Sequence, residues 1–309
     1  MNKSLTTPGK VFDRVDALSS GCYDRLIDIR EISFKSLNFV QIGESMHELN
    51  EIAQRSIAWR LGIPYNYLQK CPEDLQAVQM RHWIEFEKSE QLFFRFDKDN
   101  VRAIFTPKYK PVDNFEVLSR LDEMGYGPGT ECQCFLDGQF MLLSILDGRH
   151  TFAINGDKMT PGISVSNSEV GLASLSVSAF FLRLICTNGM VSKTQISASY
   201  RHVSTKIIAE LPKVFENVGS ELANQRTRFK LSLESPVSNP SGTIESFNRQ
   251  FQLKEPERQA VEWAWPQEAG DTMFHVVNTY TKASSMEGLS AENSFRLQKV
   301  GGDILAMLK

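Results

Sequence analysis

The sequence predicts an α+β protein in which hairpins build an antiparallel sheet, helices pack on one of its faces, and further helices lie at both ends of the chain. Three observations support this prediction. Apolar and polar residues alternate at 92–96 and 175–181, turn sequences at 97–100 (DKDN) and 137–138 (DG) separate apolar runs, and helical periodicity marks the flanking regions. We expect three regions: 1–89, 90–232 and 233–309.

The N-terminal region begins with apolar residues between 26 and 40, which indicate one or two strands. The segment 44–61 has apolar residues at steps of three and four, the spacing of an amphipathic helix. Gly62 and Pro64 follow it, as is common after the end of a helix. We therefore predict one helix over 44–61.

Two more helices complete this region. A short one is predicted over 65–70 and a longer one after Pro72, with Leu75, Val78 and Trp83 directed inward. The result is a small helical unit that precedes the sheet.

The central region, 90–232, is predicted to hold the sheet. It begins with a hairpin over 90–106, followed by a helix that starts at Asp113 or Asn114, and then a hairpin over 130–146. Strands are predicted over 161–200, with a tight turn at Asn188-Gly189.

A long helix over 203–230 ends the predicted core, with a kink at Pro212. The Ser- and Pro-rich stretch 235–243 reads as a linker. Three helical runs are then predicted, starting near Ile244, at 271–284 and at 290–309.

Composition excludes several classes of protein. The chain has 309 residues, a net charge of −3 and no apolar stretch of the roughly 20 residues that span a bilayer. Five scattered cysteines are not a disulfide framework, so reduced thiols and a cytoplasmic location are expected. The N-terminus lacks the apolar segment of a secretory signal.

The usual catalytic and cofactor motifs are absent. Cys132 and Cys134 lack partners at zinc-site spacing, and the chain has no phosphate-binding loop and no GxSxG sequence. We therefore predict no catalytic residue, no metal and no cofactor.

A local basic strip is the strongest signal for a ligand. Residues 193–230 hold seven Lys and Arg against three Glu, a net charge of +4 in an acidic chain. Lysine and arginine bind phosphates, and aromatic rings stack on bases. The predicted nucleic-acid ligands are Lys108, Tyr109, Lys110, Arg183, Lys193, Tyr200, Arg201, His202 and Lys206.

A second candidate is a pocket formed by polar residues embedded in strands. Its predicted members are Asn167, Glu169, Cys186 and Asn188, and Glu169 stands out as an acid in an otherwise uncharged run. An enzyme would use these side chains around a substrate. The alternative is that Glu169 pairs with Arg183 or stabilises a turn.

Three segments resemble a known family. They are 55–75, 101–118 (with KYKPVDN at 108–114) and 161–190 (with NSEVG at 167–171 and CTNGM at 186–190). They are similar to the uncharacterised phage/plasmid-like bacterial proteins grouped as domain of unknown function 932. The resemblance implies a role in the DNA metabolism of phages, plasmids or integrative elements, and it implies no activity.

Together these observations predict a nucleic-acid-binding protein of a mobile element, such as a single-strand DNA annealing or recombination-accessory protein. The order of hairpins and a basic helix is similar to that of annealing proteins, which implies a homo-oligomer. The alternatives are the enzyme described above and an interaction or anti-defence protein that binds other mobile-element proteins. The interaction protein would use the helical regions 44–83 and 244–309, with Trp263 and Trp265 as anchors.

Overall fold

A computed structural model describes residues 6–127, 130–148, 151–154, 157–183, 188–191, 198–200 and 227–308; for 157, 183, 188–191 and 198–200 it describes the backbone alone. The contacts divide the chain into two compact units. Residues 16–111 form the inserted unit, and residues 1–15 with 112–309 form the main unit. The predicted class is confirmed, because antiparallel-rich sheets combine with helices at both ends of the chain.

The first helix, α1 (Pro8–Ser19), was not predicted. Val11 and Val15 are its main buried residues, and they pack in the core of the main unit. The chain then enters the inserted unit.

The inserted unit holds a six-stranded sheet. Its strands are β1 (Cys22–Asp28), β2 (Ile32–Phe34), β3 (Phe39–Ile42), β4 (Ser45–Leu49), β5 (Gln91–Asp97) and β6 (Asn100–Phe105). They lie in the order β1-β5-β6-β4-β3-β2, and the β4–β6 pair is parallel whereas the others are antiparallel. The predicted hairpin over 90–106 is confirmed as β5 and β6.

The predicted helix over 44–61 is wrong for its first seven residues. Residues 45–49 form β4, where His47 and Leu49 are buried and Met46 is exposed, an alternation of period two. The helix begins only after Asn50, whose side chain accepts a hydrogen bond from the Ala53 amide at 2.9 Å. Pairing with β3 and β6 therefore overrides the local helical spacing.

Three helices cover one face of this sheet: α2 (Glu51–Arg60), α3 (Tyr65–Leu68) and α4 (Glu73–Ile84). The positions of the last two were predicted, but the face that α4 buries was not. Leu75, Val78 and Trp83 were expected inward and are 38%, 54% and 46% exposed. The side of α4 that packs on the sheet carries Met80 and Ile84.

The main unit holds the second sheet. Its strands are β7 (Cys132–Leu136), β8 (Met141–Leu146), β9 (Phe152–Ile154), β10 (Asp157–Asn167), β11 (Leu175–Arg183), β12 (Asn188–Val191) and β13 (Ala198–Tyr200). The main order is β12-β11-β10-β8-β7, all antiparallel, with β9 on β10 and β13 on β11. The hairpin predicted over 130–146 is confirmed. The turn predicted at Asn188-Gly189 is wrong, because both residues pair with β11 as part of β12.

Six further helices belong to this unit in its described part: α5 (Asn114–Glu123), α6 (residues 227–234), α7 (Pro240–Gln250), α8 (Glu255–Glu268), α9 (Met273–Ala283) and α10 (Ala291–Met307). The helical run predicted to start near Ile244 is divided into two helices, α7 and α8, and the predicted linker 235–243 runs into α7. The predicted helix over 203–230 falls outside the described residues as far as 226. No helix in the described part of the chain is both long and apolar enough to cross a membrane.

Helices cover both faces of this sheet. Helices α1 and α5 pack on the face that carries Leu143, Val165 and Val177. Helix α10 covers the other face, where Phe295 packs against Leu142 and Phe180. The two faces of β10 therefore meet different sets of helices.

Candidate functional site

The two most specific sequence blocks meet at the start of α5. The side-chain amide of Asn167 donates to the Val112 carbonyl and to Asn114 Oδ1, both at 2.9 Å. The backbone N–H of Asn114 donates to Glu169 Oε1 at 2.8 Å. KYKPVDN and NSEVG are therefore the two halves of one junction, although more than 50 residues separate them.

This junction has a structural role. Asn167 ends β10 and is 0% exposed, so its amide joins the strand to the loop that leads into α5. The Glu169 carboxylate lies at the helix N-terminus, where free N–H groups and the helix dipole favour negative charge. Two of the four predicted pocket residues, Asn167 and Glu169, thus bind the protein's own backbone. Asn167 Oδ1 is buried and has no hydrogen-bond partner among the described residues.

The start of α10 is fixed at the same end of this sheet. Asp137 Oδ1 accepts hydrogen bonds from the amides of Gln139 and Phe140 in the β7–β8 turn, and its Oδ2 accepts one from Ala291 at 3.2 Å. Ser168 Oγ donates to the Gln139 carbonyl at 2.7 Å. The predicted Asp-Gly turn therefore also positions a helix.

The basic cluster at 108–110 presents two charges on either side of a packed ring. Lys108 and Lys110 are exposed, and neither makes an ion pair within the described structure. Tyr109 is 8% exposed, and its ring stacks on Phe105 at 3.8 Å and lies 5.5 Å from Phe93. The ring holds the turn in place, whereas the sequence suggested that it would stack on a base.

The other predicted nucleic-acid ligands and pocket members have side chains outside the described part of the structure; they are Arg183, Lys193, Tyr200, Arg201, His202, Lys206, Cys186 and Asn188. For Arg183, Asn188 and Tyr200 the backbone is described, and all three lie in strands of the main sheet. The predicted salt bridge between Glu169 and Arg183 also falls outside the description.

The cysteine pair has no sign of reactivity. Burial raises the pKa of Cys132 and that of Cys134 to about 12, so both remain thiols at neutral pH. In the described residues, no three His, Cys, Asp or Glu side chains come close enough together to hold a metal ion.

An open cleft of about 400 Å³ lies in the inserted unit, and Arg30, Arg81 and Glu85 are among its lining residues. Arg30 is already paired with Asp28 at 2.6 Å, and Glu85 contributes a carboxylate. The mixed charge gives this cleft no preference for an anion.

Sequence reasoning missed an aromatic surface on the helices of the inserted unit. Trp59 is 84% exposed, Phe86 64%, Tyr67 47% and Trp83 46%. Helix α4 has apolar residues on both of its sides, so periodicity alone does not say which side faces the sheet. The four rings are the most exposed aromatic side chains of this unit.

A buried polar row in the main unit was also missed. Gln133, Ser144, Ser164 and Ser178 lie directly opposite one another on β7, β8, β10 and β11, and each is at most 8% exposed. Among the described residues, the hydroxyls of Ser164 and Ser166 have no hydrogen-bond partner. On α10, which covers this face, Ser294 Oγ and Gln298 Oε1 are unpartnered as well.

The two predicted tryptophan anchors differ in their surroundings. Trp263 is 41% exposed, and the Lys282 ammonium lies 5.6 Å from its ring centroid. Trp265 packs against the core of the C-terminal helices.

Comparison with known proteins finds no relative of this chain. No family model, no curated protein and no solved structure matches it. The resemblance to the phage/plasmid-like family therefore stays a prediction.

Proposed function

We propose that this chain is a nucleic-acid-binding protein of a mobile genetic element and that single-stranded DNA is its ligand. The observation that carries the proposal is the strip at 193–230, where a net charge of +4 stands in a chain of net charge −3. Phosphate neutralisation by clustered Lys and Arg supplies most of the affinity for a single strand.

The turn at 108–110 supports the proposal from the described part of the structure. Lys108 and Lys110 are exposed, make no ion pair with the described residues, and are carried by a backbone that the packed ring of Tyr109 holds in place. A fixed backbone loses less conformational entropy on binding a strand of phosphates than a mobile loop does. Because Tyr109 is packed, stacking on bases is assigned to Tyr200 alone.

The resemblance to mobile-element proteins supports the biological setting. It favours a role in single-strand annealing or as an accessory to recombination. A protein that aligns strands acts as an oligomer, in keeping with the homo-oligomer that the sequence predicts.

Fluorescence anisotropy with a labelled single-stranded oligonucleotide tests the proposal. We expect binding at about 50 mM salt that weakens by orders of magnitude at about 200 mM, because several phosphate contacts release counterions. Affinity that does not change with salt, or no binding at either concentration, would contradict it.

Two double variants assign the contacts. Lys108→Ala with Lys110→Ala is expected to reduce the slope of log K against log salt by about 1.4, which is about 0.7 per phosphate contact on a single strand. The control is Lys35→Ala with Lys70→Ala, which removes the same charge from exposed sites of the same unit. Equal effects of both double variants would show that only net charge matters and would remove the turn from the interface.

A further inference from the structure

The exposed rings of the inserted unit lie on helices α2, α3 and α4 and in the turn after α4. Leu75 and Val78 follow one another along the exposed side of α4, and Phe86 comes in the turn after the helix ends at Ile84. Trp83 lies on the same helix, and its ring centroid is 5.9 Å from that of Phe86. His82 lies between them, 5.2 Å from each ring.

Two polar contacts attach the remaining rings to this stripe. Gln79 of α4 donates to the Tyr67 hydroxyl at 2.8 Å. Arg60 and Glu87 form an ion pair at 2.7 Å, which joins the end of α2 to the segment after α4. Trp59 and Phe86 are the chain neighbours of these paired residues. We call the set Trp59, Tyr67, Leu75, Val78, His82, Trp83 and Phe86 the aromatic surface.

The area of the aromatic surface is that of an interface. With about 200 Å² for a complete aromatic side chain, its four largest rings expose roughly 500 Å². Leu75 and Val78 bring the apolar total to about 650 Å², above the roughly 300–600 Å² of the largest patch on a typical monomer. A standard interface takes about 800 Å² from each partner, and the polar flanks of α4 supply the difference.

The charges around the aromatic surface disfavour a nucleic acid and favour self-association. Residues 51–88 contain five Lys and Arg and five Asp and Glu, so the helices have no net charge to attract phosphates. Along α4, however, the charges are separated. Glu73 and Asp74 occupy the first turn, and Arg81 and His82 the last. Two antiparallel copies of this helix place Glu73 and Asp74 of each near Arg81 of the other, an attraction that Glu85 at the C-cap reduces in part.

We propose that the aromatic surface binds a second copy of this chain, with α4 antiparallel to its symmetry mate. A two-fold axis at the centre of the helix makes the surface its own complement. The dimer buries the rings of both copies and pairs opposite charges at the two ends. This proposal does not rest on the basic strip at 193–230.

Sedimentation equilibrium of the full chain tests the proposal, at total concentrations of about 1, 10 and 100 μM. We expect a monomer–dimer equilibrium. Trp59→Ser with Phe86→Ser is expected to raise the dissociation constant at least about 30-fold, because it removes the two most exposed rings of the aromatic surface, and large aromatic side chains dominate the affinity of interfaces. The matched control, Leu26→Ser with Met46→Ser, removes two side chains of 51% and 52% exposure from strands and is expected to leave the dissociation constant unchanged.

A second variant separates dissociation from misfolding. Val78→Lys introduces a charge at the centre of the stripe, where the side chain is 54% exposed and the monomer does not need it. We expect a monomer with an unchanged melting temperature. A wild-type monomer at all three concentrations would overturn the proposal, as would a dimer that both surface variants leave intact. Weaker DNA binding by Val78→Lys with an unchanged mass would do the same, because it would assign the surface to nucleic acid.

Discussion

The two units differ in how they depart most from the usual inside–outside pattern. The inserted unit packs an apolar core that includes Phe34 and Phe94, and it encloses His47 Nε2 without a hydrogen-bond partner among the described residues. Its larger departure is at the surface, where Trp59 is 84% exposed. The main unit covers its large apolar side chains more completely, but it encloses Ser164 and Ser166, whose hydroxyls have no partner. Each unit thus has a feature that its own fold does not explain.

The contrast shows how the two kinds of departure should be interpreted. An exposed ring weakens nothing inside the unit, so its natural explanation is a surface that another molecule covers. A buried hydroxyl without a partner lowers the stability of the layer that contains it, by about 1–3 kcal/mol for each group. The exposed rings are therefore explained by binding to another molecule. The unpartnered hydroxyls concern stability, because they lie on the face of the sheet that α10 covers.

The largest expected effect is on the stability of the inserted unit, where substitutions at a core ring and at a surface ring should differ in the free energy of unfolding. Phe94→Ala removes a ring that is 0% exposed and is expected to lower the free energy of unfolding by about 3–5 kcal/mol. Phe86→Ala, at 64% exposure, is expected to change it by less than about 0.5 kcal/mol in the monomer. Urea denaturation at low protein concentration measures both. Equal losses would show that Phe86 belongs to the core and would end the contrast.

A smaller effect is expected at the junction of the main unit. Asn167→Ala leaves the Val112 carbonyl and Asn114 Oδ1 without their donor, at a cost of about 2–4 kcal/mol. Gln139→Ala, an exposed amide in the neighbouring turn, is the control and is expected to be neutral. Thermal and urea unfolding report the difference. If Asn167→Ala were fully stable and instead lost binding to a ligand, Asn167 would be a ligand-binding residue and not a structural one.

The smallest expected effect is at Ser164, where the sign of the change in the free energy of unfolding is the informative result. Ser164→Ala removes a buried hydroxyl that has no partner and is expected to stabilise the main unit by about 1 kcal/mol. Ser232→Ala removes one that is equally buried but donates to the Phe229 carbonyl at 2.7 Å, and it is expected to destabilise by about 1 kcal/mol. Destabilisation by both substitutions would mean that Ser164 has a polar partner in solution.

Two hairpins were predicted correctly from local signals in the sequence. The Asp137-Gly138 turn and the hairpin over 90–106 were predicted because turn residues and strand alternation stand next to each other in the chain. Strand β4 was assigned to a helix because its partners, β3 and β6, lie elsewhere, and His47 bonds to a carbonyl 52 residues away. Such pairing leaves no trace in local spacing.

The candidate site shows the same limit. The sequence singled out Asn167 and Glu169 as unusual, yet their partner at Asn114 lies beyond the reach of any local pattern. Tyr109 was grouped with two lysines because it is their neighbour, whereas tertiary packing joins it to Phe105. The aromatic surface was misassigned because an apolar residue on a helix has the same identity whether it faces the sheet or the solvent.

The division of the chain has a consequence for its synthesis. Thr6 pairs with Cys132, Arg14 donates to the Leu136 carbonyl at 3.1 Å, and the ring of Phe12 lies 5.0 Å from that of Phe115, so residues 6–15 find these partners only in the chain that follows the inserted unit. At a ribosomal rate of about 5–20 residues per second, the inserted unit emerges about 1–5 s before Cys132 and Leu136 do. It can complete its sheet first, while Val11 and Val15 await the residues that bury them. Residues 6–15 are thus synthesised before the inserted unit and buried after it.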